Sequence, residues 1–77
     1  MPLTFELDPE HDQQLEIHGD AEGLETLRAC IDLLLRATPP EHDHLWTASW
    51  GGWQLSEEPQ RQGARIIHHV KIHRWSD

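Results

Sequence analysis

The run Asp20-Ala21-Glu22-Gly23-Leu24-Glu25-Thr26-Leu27-Arg28-Ala29-Cys30-Ile31-Asp32-Leu33-Leu34-Leu35-Arg36-Ala37-Thr38 reads as one amphipathic helix, with strand and turn patterns on either side of it. Leu24, Leu27, Ile31 and Leu34 recur at three- and four-residue steps, and Cys30 and Leu35 widen the stripe. Glu25, Arg28, Asp32 and Arg36 take the wet side. Asp20 is a good N-cap because its carboxylate accepts free N–H groups of the first turn, and Glu22 and Glu25 complement the helix dipole there. Gly23 costs about 1 kcal/mol relative to alanine inside a helix, which close packing at that position would explain. Thr38-Pro39-Pro40 stops the run, since proline disfavours helical geometry at the residue before it.

Upstream, Leu3, Phe5 and Leu7 alternate with Thr4 and Glu6 as in a half-buried strand. Asp8-Pro9-Glu10-His11-Asp12 is a turn, and Gln13 to His18 forms a second strand with Leu15 and Ile17 on one face. The two are expected to pair as a hairpin.

Downstream, Glu41-His42-Asp43-His44 is a polar link into Trp46-Thr47-Ala48-Ser49-Trp50-Gly51-Gly52-Trp53-Gln54-Leu55. Gly-Gly between residues of strand preference predicts a two-residue hairpin turn over about 44–56, with Trp50 facing Trp53. Burying one tryptophan contributes roughly 4–6 kcal/mol by area. A domain this small is therefore expected to hold at least one of Trp46, Trp50 and Trp53 inside. Glu57 to Gly63 reads as a mobile polar loop, and Ala64 to Trp75 as the longest strand. There Ile66, His68, Val70 and Ile72 share one face, and Ile67, His69, Lys71, His73 and Trp75 the other. The expectation is an α+β domain of order ββαβββ, one helix on one face of a mostly antiparallel sheet. Ile66, Val70 and Ile72 should meet Leu27, Ile31 and Leu34, leaving His69, Lys71, His73 and Trp75 on the uncovered face.

The 77 residues suit a single domain near the low end of what folds unaided. A lone cysteine, Cys30, excludes an internal disulfide and reads as a buried, inert thiol, in keeping with a reducing compartment. The start, Met1-Pro2-Leu3-Thr4-Phe5-Glu6, has neither a basic segment nor an apolar run, and no stretch approaches the ~20 apolar residues of a membrane span. A cytoplasmic protein with no membrane partner is expected. The net charge of -8 is uneven: residues 1 to 44 carry -9 and residues 45 to 77 carry +1. Such a surface repels phosphate backbones, disfavouring nucleic acid, and attracts a basic partner.

Seven histidines raise the question of a metal. His42, His44, His69 and His73 would be the ligands if their strands lie side by side, forming a small metal- or ligand-binding domain. Yet no thiolate is near and no helical His-Glu-x-x-His occurs, so exposed histidines on a polar sheet face are the simpler reading, with no cofactor. Ser49 and Ser56 lack a Gly-x-Ser-x-Gly setting, and nothing in the spacing singles out carboxylates such as Asp12 and Glu41. The chain reads as a binding protein without catalytic residues. Tryptophan is enriched at binding hot spots, which makes Trp46, Trp53 and Trp75 candidate contacts. A homodimer sealing the open face through Trp75 and Ile67 is a further reading.

Three segments together resemble the immunity protein 32 family of bacterial polymorphic toxin systems. They are His18-Gly19-Asp20-Ala21-Glu22-Gly23-Leu24, then His42-Asp43-His44-Leu45 running into Trp50-Gly51-Gly52 with Leu55, and Ile67-His68-His69-Val70-Lys71-Ile72. With the helix between, the likeness covers about residues 15 to 75. It implies an inhibitor of a cognate toxin, a class that includes many nucleases with basic clefts into which an acidic protein would be steered. Under this reading Trp53, Glu57 and Glu58, near the glycine turn, and His69, His73 and Trp75, on the open face, contact the toxin.

Overall fold

A computed structural model of the chain describes residues 2–77. Strand β1 (Leu3–Leu7) pairs antiparallel with β2 (Leu15–Gly19), Phe5 lying opposite Ile17. Helix α1 (Ala21–Arg36) follows, then β3 (Glu41–Trp46), a short 3-10 turn (Ala48–Trp50), β4 (Arg65–Ile66) and β5 (His69–Arg74). The class is α+β and the order ββαβββ, as expected. The strands form two small sheets, β2-β1-β4 and β3-β5, both antiparallel. The helix packs against both, over a shared core of Leu3, Phe5, Cys30, Leu34, Leu45 and Leu55.

The helix begins where its sequence places it. Asp20 accepts the N–H of Gly23 at 2.8 Å. Its far end is capped from β5: the Arg74 guanidinium donates to the carbonyls of Leu34, Leu35 and Ala37 at 3.1–3.3 Å, a cation on the negative end of the dipole. The buried stripe, however, is Gly23, Leu27, Cys30 and Leu34, while Leu24, Ile31 and Leu35 are exposed. Gly23 sets this roll. A Cβ there would collide with the Pro2 carbonyl oxygen and sit 3.2 Å from the Leu3 Cβ. The helix therefore meets the start of β1 on its glycine, turning Ile31 away from the sheets.

Downstream of β3 the predicted tryptophan hairpin does not form. Thr47, fully buried, turns the chain: its carbonyl accepts the N–H groups of Trp50 and Gly52, each at 3.0 Å, and Gly51 takes the left-handed conformation at φ 94°. Gly52 then passes against the Cβ of Trp46, where any side chain would clash. Leu55 returns beside Thr47 as a parallel bridge and drops into the core. Trp50 and Trp53 thus point outward, and no tryptophan is buried, contrary to expectation. Leucines close this core because Thr47 anchors the turn and keeps the indoles on its rim.

The predicted long strand from Ala64 to Trp75 is broken at Ile67–His68. The Ile67 N–H donates to Phe5 O at 2.8 Å, while the His68 carbonyl accepts from Thr47 N at 3.0 Å. One residue is held by the first sheet and the next by the second, so the alternation shifts phase. Ile67, with Val70 and Ile72, packs on the core in the place expected for Ile66. Ile67 therefore does not share the open face with Trp75, and the homodimer reading built on that pair loses its premise.

The segment after Leu55 is pinned. Glu6 on β1 is fully buried, and its carboxylate accepts the Thr4 hydroxyl and the N–H groups of Gln60 and Arg61 at 2.9 and 3.0 Å. The Arg61 guanidinium lies 3.0 Å from Glu16 and 3.2 Å from the buried Asp8. The outer face of β1 is covered by this strap, which is why Leu3, Thr4, Phe5 and Glu6 are all buried.

Candidate functional site

The uncovered face of β3-β5 is a continuous strip of rings. On β3 the alternation puts Glu41, Asp43 and Leu45 toward the helix, and His42, His44 and Trp46 away from it. The antiparallel register sets His42 opposite His73, His44 opposite Lys71, and Trp46 opposite His69. His69 stacks on Trp46 with centroids 3.6 Å apart and planes 5° from parallel. His44 stacks on both Trp46 and His69, at 5.4 and 5.0 Å. The strip runs on through His42, 5.0 Å from His44, to His73 at 5.8 Å and then to Trp75 at 5.8 Å. At the other end Trp46 leads to Trp50 at 6.5 Å, which stacks on His68 at 5.4 Å.

Within the strip, His44 Nδ1 and His69 Nε2 are 2.8 Å apart, a hydrogen bond in which one ring donates and the other accepts. Burial of the ring, and then the neighbouring His42, His69 and Lys71, lower the pKa of His44 against a smaller opposing pull from Asp43. His68 is held by Thr47, whose hydroxyl lies 2.8 Å from its Nδ1. Glu57 closes that end: it accepts the Ser49 N–H at 3.1 Å and lies 4.0 Å from His68. Hydrogen bonds from the Ser49 side chain and backbone lower its pKa, so it stays ionised. The strip is therefore aromatic and imidazole-rich along its length, with Glu41 beside His42 at one end and Glu57 at the other.

Of the expected contacts, His69, His73 and Trp75 do share this face, and Glu57 borders it. Glu58 is exposed on the strap, its N–H donating to Ser56 Oγ at 3.2 Å. Trp53 lies elsewhere. It is 76% exposed and stands with Gln54 at the end of a groove of about 440 Å³ between α1 and β3, lined also by Thr26, Ala29, Leu33 and Leu45. A hairpin with Trp50 facing Trp53 would by alternation set Trp53 on the same ribbon face as Trp46, and the turn at Thr47 separates them. Trp50 and His68, absent from the expected contacts, also belong to the strip; the signal for His68, its place beside Thr47, exists only in the folded chain. His42, His44, His69 and His73 are neighbours, as the metal reading required, but they form a ladder. Among the described residues no group of three His, Cys, Asp or Glu converges to hold an ion.

Cys30 lies under the groove, buried, with its pKa pushed up to about 11 by burial and then by Asp43, so its thiol stays protonated and unreactive at neutral pH. No helix is long and apolar enough to cross a membrane among the described residues. Comparison with family models, with characterised proteins and with solved structures gives no match.

Proposed function

We propose that this chain is a non-enzymatic binding protein that neutralises a cognate bacterial toxin domain, covering the toxin's active site with the ring-lined face of β3-β5. The observation that supports this most is the strip itself. A sheet face of stacked indoles and imidazoles, with Trp50 56% and Trp75 69% exposed, offers large rigid rings of the kind that dominate binding hot spots. Ring-on-ring stacking fixes their orientation before contact, lowering the ordering cost of association. The net charge of -8 supports a basic partner, reached by electrostatic steering, such as a nuclease cleft. The resemblance to the immunity protein 32 family supplies the class of partner, and a reducing cytoplasmic setting accords with it.

The test is co-expression with the toxin domain encoded beside it. Growth should be restored and the two chains should co-elute on gel filtration. Continued toxicity together with separate elution would refute the assignment.

A further inference from the structure

The free edges of β3 and β2 are not treated alike. On the free edge of β3, side chains occupy the outward N–H groups: Glu41 takes that of His42 at 3.0 Å, Asp43 that of His44 at 2.8 Å, and Gln54 that of Trp46 at 3.1 Å. An edge closed in this way resists pairing with another strand. The free edge of β2 is open. Asp20 N donates to Pro2 O and Gln14 O accepts from Asp8 N, so the even-numbered residues face β1. Alternation then leaves the N–H and C=O groups of Leu15, Ile17 and Gly19 pointing outward, and no hydrogen bond among the described residues takes them up. Leu15, Ile17 and Leu24 beside this edge are 52%, 47% and 48% exposed.

We infer that β2 is a pairing edge whose occupant is a second copy of this chain, joined antiparallel about a two-fold axis through Ile17. The sequence of the strand, Leu15-Glu16-Ile17-His18-Gly19, is complementary to itself in that register. Ile17 faces Ile17 of the other copy and exchanges both backbone bonds with it. Glu16 lies opposite His18 and His18 opposite Glu16, an acceptor against a donor on each side of the axis. Leu15 lies opposite Gly19. A Cβ at Gly19 would sit 3.0 Å from Leu24 Cγ, so the missing side chain leaves Leu24 open and the incoming Leu15 packs on it. An unrelated strand would have no reason to meet this alternation of large, acidic, apolar, basic and absent side chains. The product is a continuous sheet across both copies, with the ring strip of β3-β5 untouched.

Sedimentation and light scattering from micromolar to submillimolar concentration test the pairing. The chain should run as a dimer, and Ile17→Lys as a monomer with an unchanged circular dichroism spectrum. Mild oxidation of Ile17→Cys should cross-link it to itself, because facing residues about 5.5 Å apart lie within the ~4.4–6.8 Å that a disulfide spans. Glu10→Cys, on the β1–β2 turn, should stay uncross-linked. A wild-type chain that stays monomeric overturns the inference. So does a dimer that survives Ile17→Lys, or an Ile17→Cys chain that cross-links no faster than Glu10→Cys.

Discussion

His44 and His69 are diagonal neighbours on adjacent strands, His44 opposite Lys71 and His69 opposite Trp46, and their Nδ1 and Nε2 atoms meet at 2.8 Å. The bond needs one nitrogen without a proton. The folded chain lowers the pKa of His44, through burial of the ring first and then through His42, His69 and Lys71. A histidine whose folded pKa lies below its unfolded value near ~6.5 contributes stability that is present above that value and lost as pH falls through the folded pKa. The ring C–H signals of His44 should therefore titrate with a midpoint under about 6.5. His44→Gln should flatten the decline of melting temperature between about 6.5 and that midpoint.

Glu6 controls a second, more acidic limb. Burial alone would raise its pKa, but the Thr4 hydroxyl, the Gln60 and Arg61 N–H groups and the nearby His18 outweigh that and lower it. The sign is that of a depressed carboxylate: its contribution is intact above the unfolded value near ~4.3 and disappears as pH falls through the folded one. Glu6→Ala leaves two inward N–H groups without an acceptor and should cost about 2–4 kcal/mol in urea unfolding at neutral pH. Glu6→Gln should keep part of the stability and lose the acid limb. Limited proteolysis should cut either variant in the 57–62 strap before the wild type.

Gly23→Ala is a case where intrinsic preference and packing oppose each other. Alanine favours a helix over glycine by about 1 kcal/mol. Here its methyl would be driven into the Pro2 carbonyl and against Leu3. Overpacking of this kind costs about 1–3 kcal/mol, and the obstructing atom is backbone, which yields little. The variant should melt below the wild type. A higher melting temperature would show that α1 does not approach β1 this closely.

The ring strip makes separable demands on folding and on binding. Trp75 and His73 are exposed at one end of the strip. Trp75→Ala should leave the melting temperature nearly unchanged and, on the proposed function, weaken toxin association by roughly 2 kcal/mol, about thirtyfold. Trp53→Ala, on the groove side, should affect neither by comparison. Titration calorimetry with the purified toxin domain measures both. Raising the salt concentration should slow association more than it hastens dissociation, since steering of an acidic chain acts on the encounter.

Local patterns carried the N-terminal hairpin and the helix boundaries, because period-two and three-to-four-residue spacing, Asp20 and the Pro39-Pro40 stop all act within a few residues. His69, His73 and Trp75 were legible as one face for the same reason. The segment from Thr47 to Leu55 was not. Gly51-Gly52 fits a hairpin turn equally well, and only the burial of Thr47 against His68, twenty-one positions away, selects the compact turn. The helix roll was hidden likewise. Leu24 and Ile31 look like core residues by spacing, and the close approach of Pro2 to Gly23 turns them outward and centres the buried stripe on Gly23, Cys30 and Leu34. In each case the deciding contact joins segments distant along the chain, where residue type alone specifies no partner.

The run from Arg65 to Arg74 leaves one sheet and enters the other between two adjacent peptide groups, and its last residue then locks the end of the helix. Without this segment β1 lacks its β4 flank, β3 has no neighbour, and α1 keeps bare carbonyls at its end. One short run thus joins the flank of the first sheet, the only partner of β3 among the described residues and the cap of the helix into a single cooperative unit.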